Sequence, residues 1–437
     1  MKNRDINKMF EQDRPVHDWY RFVLSFPPHL VRSYIERFGL SQRHRVLDPF
    51  CGTGTTIVEC KKLGIPSAGI EANPFAHFAG QVKIDWSVEP EEFVRHSEWI
   101  AERTLEQLKA DGIEDDPLVI AMNGHGDREY SNLRTLDREQ MQLLLDNSIS
   151  PLPLHKTLVL LDNLKQHSDS RFLKHQQLAL AKAVAFSISN LHFGPEVGVG
   201  PAKADAPVVI TWLHEIYKMA RDLRHLRDLD RTEAIIHHAD ARNMLDVLAP
   251  CSIDAVITSP PYPNEKDYTR TTRLESVILG FIQNRAALRA LKQQLLRSNT
   301  RNVYKTDDDD KWISSYPRIQ HLAEVIESRR IELGKTSGFE RMYARVTRLY
   351  FGGMAKHLAD LRLILRPGAY LAYVVGDQAS YFQVMIRTGT LLADIAESLG
   401  YEVVSIDLFR TRIATATKEQ LREEVVILRW PGTVDLF

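Results

Sequence analysis

Apolar residues recur near every 3.6 positions at Leu30, Val31, Tyr34, Ile35 and Phe38, which predicts a helix entered through a Phe26-Pro27-Pro28 turn. The pattern then changes. Val46-Leu47 is a short apolar run that predicts a buried strand, leading into the glycine turn Asp48-Pro49-Phe50-Cys51-Gly52-Thr53-Gly54-Thr55-Thr56. Ile57, Val58, Cys60 and Leu63 predict a helix packed on the sheet, closed by Gly64, and residues 66–71 read as a second short strand ending in Glu71. Strand, turn, helix and strand within about 30 residues open a parallel α/β sheet.

Between residues 87 and 232 charged and apolar residues mix at helical spacing, and no glycine-turn strand is evident. A mostly helical insertion is expected there, softer over the Gly/Pro-rich residues 194–207. Strand pattern resumes at Ala234-Ile235-Ile236-His237-His238 and strengthens at Ile253-Asp254-Ala255-Val256-Ile257-Thr258, which runs into Ser259-Pro260-Pro261-Tyr262. After a second insertion the core pattern returns. It predicts a helix over 342–365, a turn at Arg366-Pro367-Gly368, a strand over 369–375, a helix over 391–399 and strands over 402–408 and 424–428. The expected organisation is a core in three parts (1–86, 234–264 and 341–437), interrupted by a helical insertion (87–233) and a basic one (265–340).

The chain has 437 residues, enough for about two to four structural units or one core with large insertions. Its 44% hydrophobic and 26% charged residues exclude a collagen-like, wholly disordered or disulfide-framework protein. Lys and Arg total 56 against 57 Asp and Glu, so a polyanion has to be met by a local basic patch. Cys51, Cys60 and Cys251 form no CxxC pair and no zinc spacing, which fits a reducing compartment and predicts no metal. The first 14 residues lack an apolar signal region, and no apolar stretch approaches the roughly 20 residues that span a bilayer. A cytoplasmic protein without membrane contact is expected.

A Gly-x-Gly turn between a strand and a helix N-terminus lets backbone N–H groups approach polar or anionic ligand atoms. Here Ile57 stands where a third glycine would complete a dinucleotide fingerprint, and there is no GxxxxGK phosphate loop. Glu71, 19 residues after Gly52, can accept both hydrogens of a ribose diol. Cys51 reads as a packing residue, with no base paired to it. In Ser259-Pro260-Pro261-Tyr262 the prolines stiffen the loop and leave its carbonyls pointing outward as acceptors. A hydroxyl, such a carbonyl and the flat face of Tyr262 suit an exocyclic amine on a planar ring.

Together these residues resemble the S-adenosylmethionine-dependent amino-methyltransferases of DNA bases. Asp48 to Thr56 match the family's cofactor motif, and Ser259-Pro260-Pro261-Tyr262 its (D/N/S)-P-P-(Y/F) catalytic tetrapeptide. The resemblance implies a Rossmann-like class I methyltransferase sheet and a cofactor site built from Phe26, Pro27, Asp48, Pro49, Phe50, Cys51, Gly52, Gly54, Thr55, Thr56, Glu71 and Asp240. Glu71 would hold the ribose, Asp240 the adenine amine, and Phe26 would pack beside the cofactor. Ser259 and Pro260 would accept the hydrogens of an amine on a base flipped from double-stranded DNA. Serine in the first position resembles the cytosine N4 subgroup. Adenine N6 enzymes, RNA base amino-methyltransferases and a nucleic-acid-binding module with a vestigial cofactor site remain alternatives, and a cognate restriction nuclease or defence-system subunits are conceivable partners.

Residues 281–305 hold six basic side chains and no acid. Arg285, Arg289 and Lys292 share one helix face by spacing, and with Arg297, Arg301 and Lys305 they are expected to form a phosphate-contacting strip. Arg270 and Arg273 would flank the extruded base. The acidic run 307–310 reads as a solvated, repelling loop. Lys218, Arg221, Arg224 and Arg227, interleaved with Asp222, Asp228 and Asp230, read as a salt-bridged surface helix.

Overall fold

The computed structural model describes residues 8–22, 25–122, 130, 132–194, 196–263, 266–413 and 420–432. Its centre is a seven-stranded sheet in the order β5-β2-β1-β6-β7-β9-β8. The strands are β1 (Val46–Asp48), β2 (Ser67–Glu71), β5 (Ala234–His238), β6 (Ile253–Thr258), β7 (Leu365–Gly376), β8 (Glu402–Ile413) and β9 (Gln420–Arg429). The first five in spatial order run parallel, and β9 lies antiparallel between β7 and β8. The α/β expectation holds. The sequence reverses direction between β1 and β6, so the crevice beyond their carboxyl ends is where such a sheet binds ligands.

Alternation along the strands decides which layer each residue enters. Leu47, Leu371, Tyr373 and Val375 face the helices Tyr343–Leu361 and Thr388–Ser398. Val46, Ala372 and Val374 face the opposite way, toward the helix Pro28–Arg37. The terminal strands are longer than expected. β8 and β9 continue into charged residues that the apolar pattern did not reach.

The first insertion is mostly helical, with Pro90–Ala110, Pro151–Gln166, Leu173–Ala183 and Val209–Leu226 as its main helices. Phe93, Leu160 and Trp212 share one core with Trp19, Tyr20, Phe75 and Phe78, so the insertion packs directly against the cofactor half. One expectation needs correction. A short antiparallel hairpin, β3 (Leu191–Phe193) with β4 (Val197–Val199), stands where no strand was evident. On Val209–Leu226 Arg224 pairs with Glu91 at 2.9 Å, and Arg227 just past its end pairs with Glu89, whereas Asp222 turns inward to accept from Trp19 Nε1 at 2.9 Å.

The second insertion docks on the helix Tyr343–Leu361 through two glycines. A Cβ on Gly352 would lie 2.0 Å from the Asp309 carbonyl oxygen, and one on Gly353 would lie 2.4 Å from Leu296 Cδ1. Only a side-chain-free notch admits the turn Asp309–Ile313 at that depth.

Candidate functional site

A cavity of about 610 Å³ opens beyond the carboxyl ends of β1, β2, β6 and β7. Phe26, Pro49, Phe50, Cys51, Gly52, Thr55, Glu71 and Asp240 line it, and so do Ser259, Pro260, Pro261 and Tyr262. The two motifs, about 200 residues apart in sequence, therefore face one space.

In the first motif β1 delivers Asp48, which is fully buried. Its Oδ1 accepts from Thr258 Oγ1 at 2.6 Å and from the Phe50 N–H at 3.2 Å. Its Oδ2 meets no partner among the described residues, and burial pushes the carboxyl up to about 6. The chain then turns through Gly52 (φ +52°) and Gly54 (φ +83°), the left-handed region that glycine enters freely. Gly54 caps the helix Thr55–Lys62. Thr56 turns to the sheet, donating to the Ile257 carbonyl at 3.1 Å.

Glu71, at the end of β2, is held from both sides. Oε2 accepts the Gly52 N–H at 2.9 Å and Oε1 the Asn73 N–H at 2.7 Å. Desolvation raises its carboxyl to about 7. Each oxygen keeps a lone pair for a hydroxyl donor. Burial pushes the Cys51 thiol up, away from thiolate chemistry. Pro27 does not line the cavity; it precedes Pro28–Arg37 as the helix N-cap. Sequence reasoning missed Phe22, whose ring would lie 3.5 Å from a Cβ on Gly52.

Asp240 reaches the cavity wall already paired. Arg242 donates from Nε to Oδ1 at 2.9 Å and from NH2 to Oδ2 at 2.6 Å. The same guanidinium reaches Asp309 at 2.5 Å and the Gln294 carbonyl at 3.1 Å, tying the cavity wall to the second insertion.

In the second motif Ser259 Oγ donates to the Val374 carbonyl at 3.1 Å. The Tyr262 ring lies against Gly376, where a Cβ would come within 2.9 Å of Tyr262 Cε2. Burial and the nearby Glu423 carboxylate raise the Tyr262 phenol, which stays neutral. Behind the loop, Asp267 Oδ1 caps the short turn at Thr269 while Oδ2 accepts Lys292 Nζ at 2.7 Å.

The expected phosphate strip is corrected at two positions. Lys292 is committed to Asp267. Arg297 is buried, pairing with Asp307 through two bonds of 2.8 Å and capping the Lys292 and Gln293 carbonyls at the end of the helix Arg285–Gln294. Arg285 reaches Gln142, Arg289 lies over the Tyr304 ring, and Arg301 and Lys305 are exposed. The 307–310 run is corrected too: Asp307 and Asp309 are tied to Arg297 and Arg242, so it is a docked turn. Neither Arg270 nor Arg273 lines the cavity, and Arg273 bonds Thr269 and the Leu143 carbonyl instead. Among the described residues no three His, Cys, Asp or Glu side chains converge as metal ligands, and no helix is long and apolar enough to cross a membrane.

Comparison with known proteins finds that an N6/N4 methyltransferase family model, described as DNA methylase, matches residues 2–79. Type II methyltransferase M.BsoBI from Geobacillus stearothermophilus is 27% identical over 98% of this chain and 87% of its own length. Type II methyltransferase M.AvaI from Nostoc sp. strain PCC 7120 is 24% identical over 99% and 90%. Among solved structures, TrmN from Thermus thermophilus gives a TM-score of 0.31 at 11% identity, covering 95% of this chain and 52% of that one, a likeness too slight to bear on the reading.

Proposed function

Because this chain belongs to the S-adenosylmethionine-dependent N4-cytosine/N6-adenine DNA methyltransferases, we propose that it methylates the exocyclic N4 of a flipped cytosine in double-stranded DNA. The observation that carries this reading is the direction of the Ser259 hydroxyl. Its hydrogen goes to the Val374 carbonyl, which leaves the Ser259 oxygen, beside the Tyr262 hydroxyl, as an acceptor for an incoming amine.

Other residues lining the cavity fit the cofactor. The Gly52–Gly54 turn admits close backbone approach, Glu71 is fixed to take two hydroxyls, and Phe22 and Phe26 supply apolar walls. Bound there, S-adenosylmethionine supplies a methyl group on a sulfonium, an electrophile. The chain's task is to make the amine nucleophilic. Ser259 Oγ and the Pro260 carbonyl accept its hydrogens, drawing the nitrogen lone pair out of conjugation with the ring. Tyr262 stacks on the extruded base, worth roughly 1–3 kcal/mol against an unstacking cost of a few kcal/mol. Positioning and electrostatics carry the step, with no covalent enzyme intermediate.

Serine in the first motif position supports cytosine over adenine. The designation of the relatives as Type II methyltransferases supports a cognate restriction nuclease as partner. The test is nucleoside mass spectrometry on DNA and RNA from cells expressing the wild type or Ser259→Ala. N4-methylcytosine in DNA, absent with the variant, is expected. N6-methyladenine would retain the mechanism and overturn the base. A mark confined to RNA would overturn DNA as substrate, and a mark that survives Ser259→Ala would overturn the role of Ser259.

A further inference from the structure

One residue past Gly376, the last residue of β7, against which Tyr262 packs, stands Asp377, a carboxylate with no side-chain exposure. Two arginines converge on its Oδ2: Arg387 at 2.5 Å and Arg422 at 3.4 Å. Arg422 also reaches Glu424 at 3.2 Å and bonds Asp377 through its own backbone N–H. Beside them Arg412 lies 3.9 Å from the buried Glu423 and lines the cavity. The acids are inside and the guanidiniums outside: Arg387, Arg422 and Arg412 are 43%, 39% and 42% exposed.

We propose that Arg387, Arg422 and Arg412 form a preorganised clamp for the DNA backbone phosphates beside the flipped nucleotide. This rests on the reading of the site as a DNA methyltransferase centre. A guanidinium is a planar fork that holds a carboxylate with part of its donors and presents the rest in a fixed plane, a geometry matched to phosphate. Anchoring on a buried acid fixes that plane before the ligand arrives, which lowers the ordering cost of binding. Charge sign and location agree. Arg412 lines the cavity together with Ser259 and Tyr262, and Asp377, which holds Arg387 and Arg422, stands between Gly376, where Tyr262 packs, and the cavity-lining Gln378.

The test is initial-rate methylation of sheared genomic DNA from cells lacking this enzyme, over a salt series. Each phosphate contact contributes about 0.9 to the slope of log affinity against log salt. For the Arg387→Gln/Arg422→Gln double variant we expect about a tenfold rise in the KM for DNA. The salt slope should fall by about two, with cofactor affinity by calorimetry unchanged. The Arg387→Lys/Arg422→Lys pair keeps the charge and should keep the slope. Arg412→Gln, which leaves Asp377 untouched, should lower it by about one and serves if the double variant does not fold. Arg329→Gln, on the remote helix Pro317–Glu332, is the control. An unchanged slope in well-folded variants that still methylate DNA would overturn the clamp and leave the methyltransferase reading standing. A wild type that neither binds nor methylates DNA would overturn both.

Discussion

Two arginine-rich regions of this molecule face opposite fates. At the C-terminal end of the helix Arg285–Gln294 and just beyond it the cations go inside: Lys292 and Arg297 are 12% and 5% exposed, each on a carboxylate. At the ends of β7 and β9 the acids go inside, and the guanidiniums meet solvent. Both regions contain ion pairs, and counting charges does not separate them. What separates them is which partner has been desolvated. A buried base serves as an internal strut. A buried acid serves as a mount that aims its base outward.

Three experiments bear on this contrast. The largest effect is expected from Arg297→Ala. It leaves Asp307 buried without its cation and uncaps the carbonyls of Lys292 and Gln293. Urea unfolding should show a loss of about 3–5 kcal/mol. The salt slope of DNA methylation should not move; a fall in slope would return Arg297 to the phosphate interface.

Glu275 sharpens the comparison as a buried acid whose bonded partner is a neutral hydroxyl, that of Tyr20. Burial pushes its carboxyl up to about 7. An acid raised in the folded state keeps its proton longer than in the unfolded chain, so it lowers stability progressively from about pH 4.5 to pH 7. Glu275→Gln should therefore gain about 2–3 kcal/mol at pH 8 and nearly nothing at pH 4.5. Equal melting shifts at both pH values would refute the burial of an unpaired charge. The smallest effect belongs to Arg285→Ala, an exposed residue on Gln142. It should cost at most about 0.5 kcal/mol in urea unfolding, and a larger loss would show that the bond to Gln142 holds the helix in place.

What could be read from the sequence was what lay contiguous in it. Asp48 to Thr56 and Ser259 to Tyr262 each carry their geometry in consecutive residues, glycines for a tight turn and prolines for a stiff one. The strands β1, β2, β5 and β6 were legible because they are apolar runs bounded by such turns. Phe22 was not, since no local pattern distinguishes it from other aromatics. Nor was the pairing of Arg242 with Asp309, because partners 67 residues apart leave no mark on spacing. The distal halves of β8 and β9 were missed for the opposite reason. Arg410, Arg412, Arg422 and Glu423 read as loop residues, yet they form ladder pairs beyond the edge of the core. The hairpin β3–β4 is too short, and too rich in glycine and proline around it, for alternation to show.

The bond from Thr258 to Asp48 joins the ends of adjacent parallel strands already paired at Leu47 and Val256. It makes the spacing between the two motifs a property of the sheet, set by backbone register. Neither large insertion takes part in that spacing. The two motifs are therefore held at a separation written into main-chain pairing, a dimension that does not depend on any side chain elsewhere in the molecule.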